Sequence, residues 1–312
     1  MKIGIIGLGR MGHNIALHLS EQNFTLVAYN RSPEPTKKLF RASKKAIPAY
    51  SIDEFCYALG RPTAGARPST PAIIFLMVPA GQPVDDVLQQ LRPRLSRGDI
   101  VIDGGNSLYT DSVRRAKALA SNGIHYLDCG TSGGLEGARR GASLTIGGEK
   151  RIYQKLLPLW RALACKDGYL YCGPPGAGHY VKMVHNGMEY SILQSYGEGF
   201  ALLHAAPYQL DLPAIANVWS HGSVIRSWML ELAGRSLKTD PRLSKVVGKV
   251  GGGQTGLWTA QEAKRRRVKM PALAVSLRER AASQKKETVS GRLIAYIRYQ
   301  FGRHEFIPRK KK

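Results

Sequence analysis

The stretch KIGIIGLGRMGHNIALHL, Lys2 to Leu19, decides the fold of the first half of the chain. It contains an apolar run, then three glycines, Gly7, Gly9 and Gly12, and then the start of an amphipathic pattern. In a GxGxxG turn the first glycine permits a tight bend, the second lets a phosphate approach the backbone, and the third lets a helix pack closely. The N–H groups at the start of that helix would face the phosphates. The stretch therefore predicts a strand, a turn and a helix that bind a dinucleotide.

Short apolar runs alternate with helical patterns through the first 176 residues. This alternation is typical of an α/β fold with a Rossmann-type doubly wound parallel sheet. We expect strands at Lys2–Ile6, Thr25–Tyr29, Ala72–Met77, Ile100–Asp103 and Tyr126–Asp128, with weaker ones at Leu144–Gly147 and Gly168–Tyr171. The helical patterns include Met11–Gln22, Pro35–Arg41, Val84–Leu91 and Ser112–Ser121. The Gly- and Pro-rich segment Gly60–Pro71 predicts a surface loop.

The pattern changes after Gly176, where strand signals disappear and long helical periodicities begin. We expect a mostly α-helical C-terminal domain over residues 177–312, after a dinucleotide-binding domain over residues 1–176. Its predicted helices are Ala177–Ala206, Leu212–Gly222, Trp228–Leu237, Ala260–Val268, Ala272–Gln284 and Thr288–Phe301. A basic tail, Arg309–Lys312, ends the chain.

The first of these helices carries a polar stripe within GAGHYVKMVHNGMEY, Gly176 to Tyr190. Five side chains with ionisable, amide or phenolic groups fall on one face about 140° wide: Lys182, His185, Asn186, Glu189 and Tyr190. Burying such groups costs stability unless a polar ligand occupies the space. Lys182 is a candidate proton acceptor and Glu189 a candidate proton donor, about 10 Å apart along the axis. The alternative is a solvated helix face.

The end of the second predicted strand indicates which dinucleotide binds. An acidic residue there would accept hydrogen bonds from the ribose 2′-hydroxyl and repel a 2′-phosphate. This chain instead has Asn30, Arg31 and Ser32, followed by Lys37 and Lys38. A guanidinium and a hydroxyl suit a 2′-phosphate, so NADP is favoured over NAD. In the alternative interpretation Arg31 only stacks on the adenine, which NAD would also allow.

Composition restricts the other classes of function. The chain has 312 residues, 43% hydrophobic and 22% charged, which is enough for two globular domains. It contains no secretory-signal pattern and no run of about 18 apolar residues, so we expect a cytoplasmic protein that does not span a membrane. Four cysteines form no CxxC motif and no Cys/His cluster, which favours reduced thiols and no metal site: Cys56, Cys129, Cys165 and Cys172.

The net charge of +24 is the unusual property of this composition. Such an excess can indicate a nucleic-acid partner. The positive charges are spread over both halves, with short clusters at Lys264–Lys269, Lys285–Lys286 and Arg309–Lys312. No recognisable nucleic-acid-binding motif accompanies them. Attraction of a small anionic substrate and non-specific adhesion to polyanions are therefore favoured over specific nucleic-acid binding.

Three further segments complete a resemblance to a known enzyme family. They are MVPAG (Met77–Gly81), DGGNS (Asp103–Ser107) and GTSGG (Gly130–Gly134). With GLGRMG and the KMVHNGMEY helix, the chain resembles 6-phosphogluconate dehydrogenase, the decarboxylating enzyme of the pentose phosphate pathway, in its short form. The resemblance runs from residue 1 to about His304. Where the long form has a lysine before TGKWT, this chain has GGGQTGLWT, with Gln254 and Leu257, so no lysine role is implied there.

The resemblance implies oxidation of 6-phosphogluconate to ribulose 5-phosphate and CO2 with reduction of NADP or NAD. Lys182 would be the base that takes the C3 hydroxyl proton, for which it must be neutral. Once protonated, it would donate to the enolate oxygen that forms as CO2 leaves. Glu189 would then protonate C1 of the enediol. The alternatives are a related β-hydroxyacid dehydrogenase that acts on a smaller substrate without decarboxylation and, more remotely, a basic nucleic-acid-associated protein on a dehydrogenase fold.

The resemblance also implies a set of binding residues. The carboxylate and hydroxyls of the substrate would be held by Asn106, Ser132, Gly133, Gly134, His185 and Asn186. Its phosphate would be held by Tyr190, Arg280, Arg298 and His304. The dinucleotide would lie against Gly7, Leu8, Gly9, Arg10, Met11, Gly12, Asn30, Arg31, Ser32, Val78, Pro79, Ala80 and Asn106. The helical domain would serve substrate binding and assembly, with Arg298 and His304 reaching a neighbouring subunit of a homodimer or homotetramer.

Overall fold

The computed structural model of the chain describes residues 1–61 and 70–309. The chain divides into two compact units, Met1–Met183 and Val184–Lys312. The division falls inside one long helix, Ala177–His204. The predicted loop Gly60–Pro71 and the predicted tail Arg309–Lys312 lie partly outside the described residues.

The first unit is built on a sheet of eight strands. Their bounds are β1 Lys2–Ile6, β2 Thr25–Tyr29, β3 Ala46–Ala49, β4 Ile73–Leu76, β5 Ile100–Asp103, β6 His125–Ser132, β7 Ala142–Gly147 and β8 Ala164–Gly173. The strand order is β3-β2-β1-β4-β5-β6-β7-β8, and all neighbours are parallel except β6 and β7. The order reverses direction between β1 and β4, which creates the crevice at the carboxyl edge where such sheets bind ligands.

Helices cover both faces of this sheet. They are α1 Arg10–Glu21, α2 Pro33–Ala42, α3 Ile52–Ala58, α4 Gln82–Leu91, α5 Tyr109–Ala120, α6 Gly134–Arg140, α7 Lys150–Lys155 and α8 Leu157–Leu163. Two separate clusters of buried apolar side chains lie in this unit, one around Ile3, Ile5 and Trp160 and the other around Phe55 and Leu76. Alternate residues of a strand point to opposite faces, which is why neighbours such as Ile5 and Ile6 belong to different clusters.

The second unit is helical apart from one short strand pair. Its core lies around Leu193, Phe200, Leu230 and Leu293. It contains most of α9 Ala177–His204, followed by α10 Leu212–Trp219, α11 Trp228–Thr239, α12 Gln254–Arg265, α13 Pro271–Lys285 and α14 Val289–Gly302. The two strands, β9 Val246–Val247 and β10 Ile307–Pro308, pair antiparallel. No helix in the described part of the chain is both long and apolar enough to cross a membrane.

The α/β class and the helical second half were predicted correctly, and several details were not. The sheet is not wholly parallel, because β6 returns to β7 in the antiparallel direction. The short strand β3 was missed because its four residues include a proline and give no alternating pattern. Strands do not disappear after Gly176, since β9 and β10 form a pair of two residues each, too short to leave a signal in the sequence.

Candidate active site

The glycine turn has the shape that a dinucleotide requires. Gly7 has φ +94°, and a Cβ there would lie 2.5 Å from the carbonyl oxygen of Met77. A Cβ on Gly12 would lie 2.0 Å from the carbonyl oxygen of Gly7, so helix α1 can approach the turn only without a side chain. A Cβ on Gly9 would meet nothing within 4 Å, so its backbone borders open space. The residues of this turn thus fit a bound pyrophosphate.

Asn30, Arg31 and Ser32 follow β2 at the same edge of the sheet, but they differ in what they contact. Asn30 Oδ1 accepts a hydrogen bond from the backbone N–H of Leu8 at 2.8 Å, and Asn30 Nδ2 donates to Ser32 Oγ at 3.0 Å. Asn30 therefore braces the glycine turn. The Arg31 side chain is exposed and has no ion pair or hydrogen bond with the described residues. Of the three, Arg31 has the group best suited to meet an anion.

Two loops at the carboxyl edge carry further predicted residues. Val78, Pro79 and Ala80 follow β4, and Asn106 follows β5 and is exposed. The loops touch each other, since a Cβ on Gly105 would lie 2.9 Å from the Val78 carbonyl oxygen. The parallel pairing of β4 with β5 brings the two loops to one place.

Ser132 and Lys182 come into direct contact within the first unit. Ser132 ends β6, and Gly133 and Gly134 turn the chain into α6 with φ values of +114° and +58°. The amine nitrogen of Lys182, Nζ, donates a hydrogen bond to Ser132 Oγ. A Cβ on Gly130 would lie 2.4 Å from the Cβ of Lys182, so only glycine lets the lysine stem lie against this strand. The predicted base and one predicted substrate ligand are thus neighbours.

The start of α9 is anchored to the sheet by a buried carboxylate. Asp128 of β6 accepts hydrogen bonds from the backbone N–H groups of Gly176 at 2.6 Å and His179 at 2.7 Å. A negative charge at the start of a helix is favourable because the free N–H groups carry partial positive charge. The His179 ring, which is buried, shares a 2.7 Å hydrogen bond with the Ser112 hydroxyl. These contacts fix the helix one turn before Lys182.

The remaining stripe residues of α9 belong to the second unit. Asn186 is buried, His185 is exposed, and Glu189 and Tyr190 are half-buried. His185 Nδ1 lies 3.1 Å from Asn186 Oδ1. The Tyr190 hydroxyl lies 3.2 Å from the hydroxyl of Thr255. The stripe is therefore a partly exposed face rather than a fully buried one.

Arg280 and Arg298 form a cationic cluster in the second unit. The Arg280 guanidinium lies over the Tyr190 ring, with Cζ 3.8 Å from the ring centroid. Burial lowers the pKa of Arg280, and its Nη1 has no hydrogen-bond partner among the described atoms. Burial and the neighbouring charge of Arg280 lower the pKa of Arg298 to about 10. A buried and a half-buried cation side by side are unfavourable unless an anion binds them, so this cluster is a candidate phosphate site.

The C-terminal residues differ in part from the expectation. Arg298 is close enough to Arg280 of its own chain for the two charges to interact, although the resemblance implies that it reaches a neighbouring subunit. His304 lies after the end of α14, and its ring packs edge-to-face against Phe301 at a centroid distance of 5.6 Å. Exchange of this segment between subunits stays a prediction.

The sequence did not single out the residues that hold these loops and helices in place. Asp128, His179 and Arg115 are all buried and polar, and each contacts a segment that carries predicted ligands. A polar residue on the buried side of a helix pattern, such as Arg115 between Ser112 and Leu119, is the signal that would have identified it. Within residues 1–61 and 70–309 no cluster of His, Cys, Asp or Glu is arranged to hold a metal ion.

The sheet order, the glycine turn and the loops at the carboxyl edge define a dinucleotide-binding protein of the Rossmann class, to which nicotinamide-dependent dehydrogenases belong. Residues 2–173 match the NAD binding domain of 6-phosphogluconate dehydrogenase, and residues 178–297 match the C-terminal domain of that enzyme. The chain belongs to the 6-phosphogluconate dehydrogenase family.

Relatives of this chain include both NAD-dependent and NADP-dependent 6-phosphogluconate dehydrogenases. It is 44% identical to an NAD-dependent decarboxylating 6-phosphogluconate dehydrogenase of Haloferax volcanii, over 98% of each chain. It is 38% identical to an NADP-dependent decarboxylating 6-phosphogluconate dehydrogenase of Bacillus subtilis, over 92% of this chain and 62% of that one. Its fold matches that of Plasmodium falciparum 6-phosphogluconate dehydrogenase with a TM-score of 0.81 and 30% identity, over 92% of this chain and 62% of the other. The chain thus spans nearly the whole length of the first of these relatives and about three fifths of the other two.

Proposed function

We propose that this protein catalyses the oxidative decarboxylation of 6-phosphogluconate to ribulose 5-phosphate and CO2. Membership of the family supports the reaction, and the contact between Lys182 and Ser132 is the structural observation that carries it. A bound nicotinamide supplies the acceptor for the hydride that leaves C3. Residues 1–176 serve dinucleotide binding, and residues 177–312 serve substrate binding and assembly, in a cytoplasmic enzyme.

Lys182 moves the proton at the C3 oxygen. In its neutral form it removes the hydroxyl proton as C3 is oxidised, which gives a β-keto acid whose carboxylate can leave as CO2. In its protonated form it returns that proton to the developing enolate oxygen. The hydrogen bond from Nζ to Ser132 Oγ holds the amine in one orientation through both steps.

Glu189 completes the reaction by protonating the enediol carbon that becomes C1 of ribulose 5-phosphate, while Lys182 takes the hydroxyl proton from the neighbouring carbon, which becomes the ketone. It lies two helical turns beyond Lys182 on α9, about 10 Å along the axis, and on the same side of the helix, so that the two long side chains would have to converge on adjacent carbons of one sugar acid. Asn106, Ser132, Gly133, Gly134, His185 and Asn186 hold the carboxylate and hydroxyls. The substrate phosphate binds Arg280 and Arg298, with Tyr190 and His304 beside it.

NADP is the favoured dinucleotide, with NAD as the alternative. Arg31 supports this choice because its guanidinium is exposed and no carboxylate follows β2 at that position. We expect Arg31→Ala to raise the KM for NADP about tenfold or more and to leave the KM for NAD within about twofold. Equal changes in both constants would mean that Arg31 only stacks on the adenine.

The deciding experiment is a steady-state assay with 6-phosphogluconate and each dinucleotide. We expect absorbance of the reduced nicotinamide to appear together with an equal amount of CO2. Gluconate, which lacks the phosphate, and 3-hydroxybutyrate, a small β-hydroxyacid, serve as control substrates. Absence of turnover with both NADP and NAD would contradict the proposed function.

The Arg298→Ala variant separates this function from that of a dehydrogenase for a smaller β-hydroxyacid. If Arg298 binds the phosphate, the KM for 6-phosphogluconate should rise about 100-fold with little change in the KM for NADP. An unchanged KM for 6-phosphogluconate would favour the smaller substrate. Arg303→Ala is the matched control, since Arg303 is an exposed arginine that lies over the Tyr299 ring at 4.5 Å.

The active form is a homodimer or homotetramer, and a mixing experiment tests whether its C-terminal segments exchange. Chains with Lys182→Met and chains with Arg298→Ala are refolded together and assayed with 6-phosphogluconate near the wild-type KM, where Arg298→Ala alone has little activity. If Arg298 serves a neighbouring site, hybrids contain one intact site and recover activity. If Arg298 serves its own chain, as its position beside Arg280 supports, no activity returns.

A further inference from the structure

Arg115 lies between the two loops that border the proposed dinucleotide and substrate sites, but it belongs to neither loop. It is on the buried side of α5, and its side chain is 1% exposed. No ligand role follows from its position, because the side chain is enclosed by protein groups. Its contacts nevertheless reach segments that carry predicted ligands.

All five N–H donors of the Arg115 guanidinium have acceptors. Nε donates to Asp85 Oδ1 at 2.9 Å, and Nη2 donates to Asp85 Oδ2 at 3.1 Å and to the Gly81 carbonyl oxygen at 2.9 Å. Nη1 donates to Ser107 Oγ at 3.2 Å and to Asp103 Oδ2 at 3.5 Å. Only arginine offers five donors in a fixed plane, so lysine could not form this set of bonds.

These acceptors belong to two different loops. Gly81 ends the loop 77–81, which carries Val78, Pro79 and Ala80, and Asp85 follows in the first turn of α4. Asp103 and Ser107 enclose the loop that carries Asn106. One guanidinium thus connects the ends of two neighbouring loops.

The Asp103 carboxylate continues the network inside its own loop. Oδ2 accepts hydrogen bonds from Ser107 Oγ at 2.7 Å and from the Tyr126 hydroxyl at 2.8 Å, and Oδ1 accepts one from the backbone N–H of Gly105 at 3.1 Å. Asp103 is fully buried. The conformation of the Asn106 loop therefore depends on a carboxylate that Arg115 helps to neutralise.

We infer that Arg115 is a positioning residue that holds the loops 77–81 and 103–107 in one relative arrangement for binding and turnover. The inference rests on the proposed function for its kinetic test and on geometry for the loops themselves. Because Arg115 touches neither ligand, its loss should affect both ligands together. Loss of a residue that contacts only the substrate or only the dinucleotide, by contrast, affects only that molecule.

The test compares Arg115→Met with Arg61→Met. Arg61 is also a buried arginine of the first unit, paired with Asp99, but its other partners lie outside both loops. We expect Arg115→Met to raise the KM for NADP and the KM for 6-phosphogluconate, each about tenfold, and to lower kcat about tenfold. Arg61→Met should leave these constants within about twofold of wild type at a temperature where both variants are folded.

Several outcomes would overturn the inference. One is a folded Arg115→Met enzyme with wild-type constants, and another is a change confined to one ligand. Should Arg115→Met fail to fold, Ser107→Ala removes only one acceptor, and we expect it to raise both KM values about threefold. Unchanged constants in the folded Ser107→Ala enzyme would equally count against the inference.

Dinucleotide binding separates failure of this inference from failure of the proposed function. Without turnover in the wild-type enzyme, the proposed function fails, and a fluorescence titration with NADPH and NADH then tests the loops directly. The wild type will bind NADPH or NADH, and Arg115→Met should raise the Kd for that dinucleotide about tenfold. Arg61→Met should leave this Kd unchanged. Equal affinity in wild type and Arg115→Met would overturn the inference.

Discussion

Strand β5 has a buried arginine–aspartate pair at each end, and the two pairs hold different parts of the molecule. At the amino end Arg61 binds Asp99, and at the carboxyl end Arg115 binds Asp103, about 13 Å further along the strand. The additional partners of the first pair are backbone groups, those of Gly60, Thr70, Ala72 and Ser96. The additional partners of the second pair lie in or beside the loops that carry predicted ligands.

The comparison shows that the chemistry of a buried ion pair does not reveal its purpose. Both pairs place a guanidinium and a carboxylate out of water, and both would be costly to break. The difference lies in the neighbours. The Arg61 pair closes a connection on the edge of the sheet opposite the crevice, whereas the Arg115 pair connects loops at the edge where α/β sheets bind their ligands. The amino edge should therefore control stability, and the carboxyl edge activity.

The largest expected effect is a loss of activity without a loss of stability, and it is expected when Lys182, at the carboxyl edge of the sheet, is replaced. Lys182→Met keeps the aliphatic stem against Gly130 but removes the proposed base, so kcat should fall by about 10³- to 10⁴-fold. The melting temperature should stay within about 2 °C of wild type. Lys117→Met, which changes an exposed lysine of α5, is the control and should leave kcat unchanged. Appreciable turnover by Lys182→Met would remove Lys182 from the mechanism.

The next largest effect is a loss of stability without a loss of activity, and it is expected when the ion pair at the amino end of β5 is broken. Arg61→Met leaves the Asp99 carboxylate buried without its cation, which should lower the free energy of unfolding by about 3 kcal/mol. The constants for turnover should stay near wild type. Denaturant unfolding, followed together with a steady-state assay, measures both quantities. An Arg61→Met enzyme with wild-type stability but a lowered kcat would contradict the hypothesis that the amino edge controls stability and the carboxyl edge controls activity.

A third buried arginine, Arg280, differs from both because it forms no ion pair with a carboxylate among the residues that the structure describes, although the charge of Glu189 acts on it from further away. Its Nη1 is buried without a hydrogen-bond partner in the described part of the chain, and burial lowers its pKa. Arg280→Met should raise the KM for 6-phosphogluconate about 100-fold, because the phosphate loses a cation. The ligand-free variant should be as stable as wild type or more so, because a buried charge without an ion pair leaves the core.

The Arg280 experiment needs a matched variant to be read clearly. Arg292 is a partly buried arginine of the same unit that pairs with Glu287 at 2.7 Å. Arg292→Met should therefore lower stability without changing the KM. If Arg280→Met destabilised the protein as much as Arg292→Met, Arg280 would have a structural role, and the hypothesis that it binds the substrate phosphate would be wrong.

The difference between these arginines also explains how much the sequence could predict. The glycine turn and the α9 stripe are local patterns, so the chain order alone indicated the turn, the helix and Lys182. Arg61, Arg115 and Asp128 act through partners 38, 34 and 48 residues away. Such pairings depend on which strands become neighbours, and no spacing in the sequence encodes that. The family resemblance implied that Ser132 and Lys182 share one site, but their direct contact, between residues 50 apart, was not predicted.

The smallest expected effect is a loss of folding stability at low pH, caused by protonation of Asp85 next to the loop 77–81. Hydrogen bonds from Arg115, and then from Arg114, hold the pKa of Asp85 at about 2, below its usual value of 3.8. A lowered pKa stabilises the folded state above the unfolded pKa, and this contribution is lost as the pH falls through the folded value. Ionised Asp85 should therefore contribute about 2 kcal/mol at pH 5, declining between about pH 4 and pH 2.

The Asp85→Asn variant isolates that contribution from those of other carboxyl groups. Asparagine keeps one acceptor for Arg115 but carries no charge, so the difference in unfolding free energy between wild type and Asp85→Asn should shrink as the pH falls from 5 to 2. Asp53→Asn is the control, since Asp53 pairs with Arg94 but is 76% exposed, and such pairs contribute little. A difference for Asp85→Asn that did not change with pH would mean that the Arg115 network does not depend on the charge of Asp85.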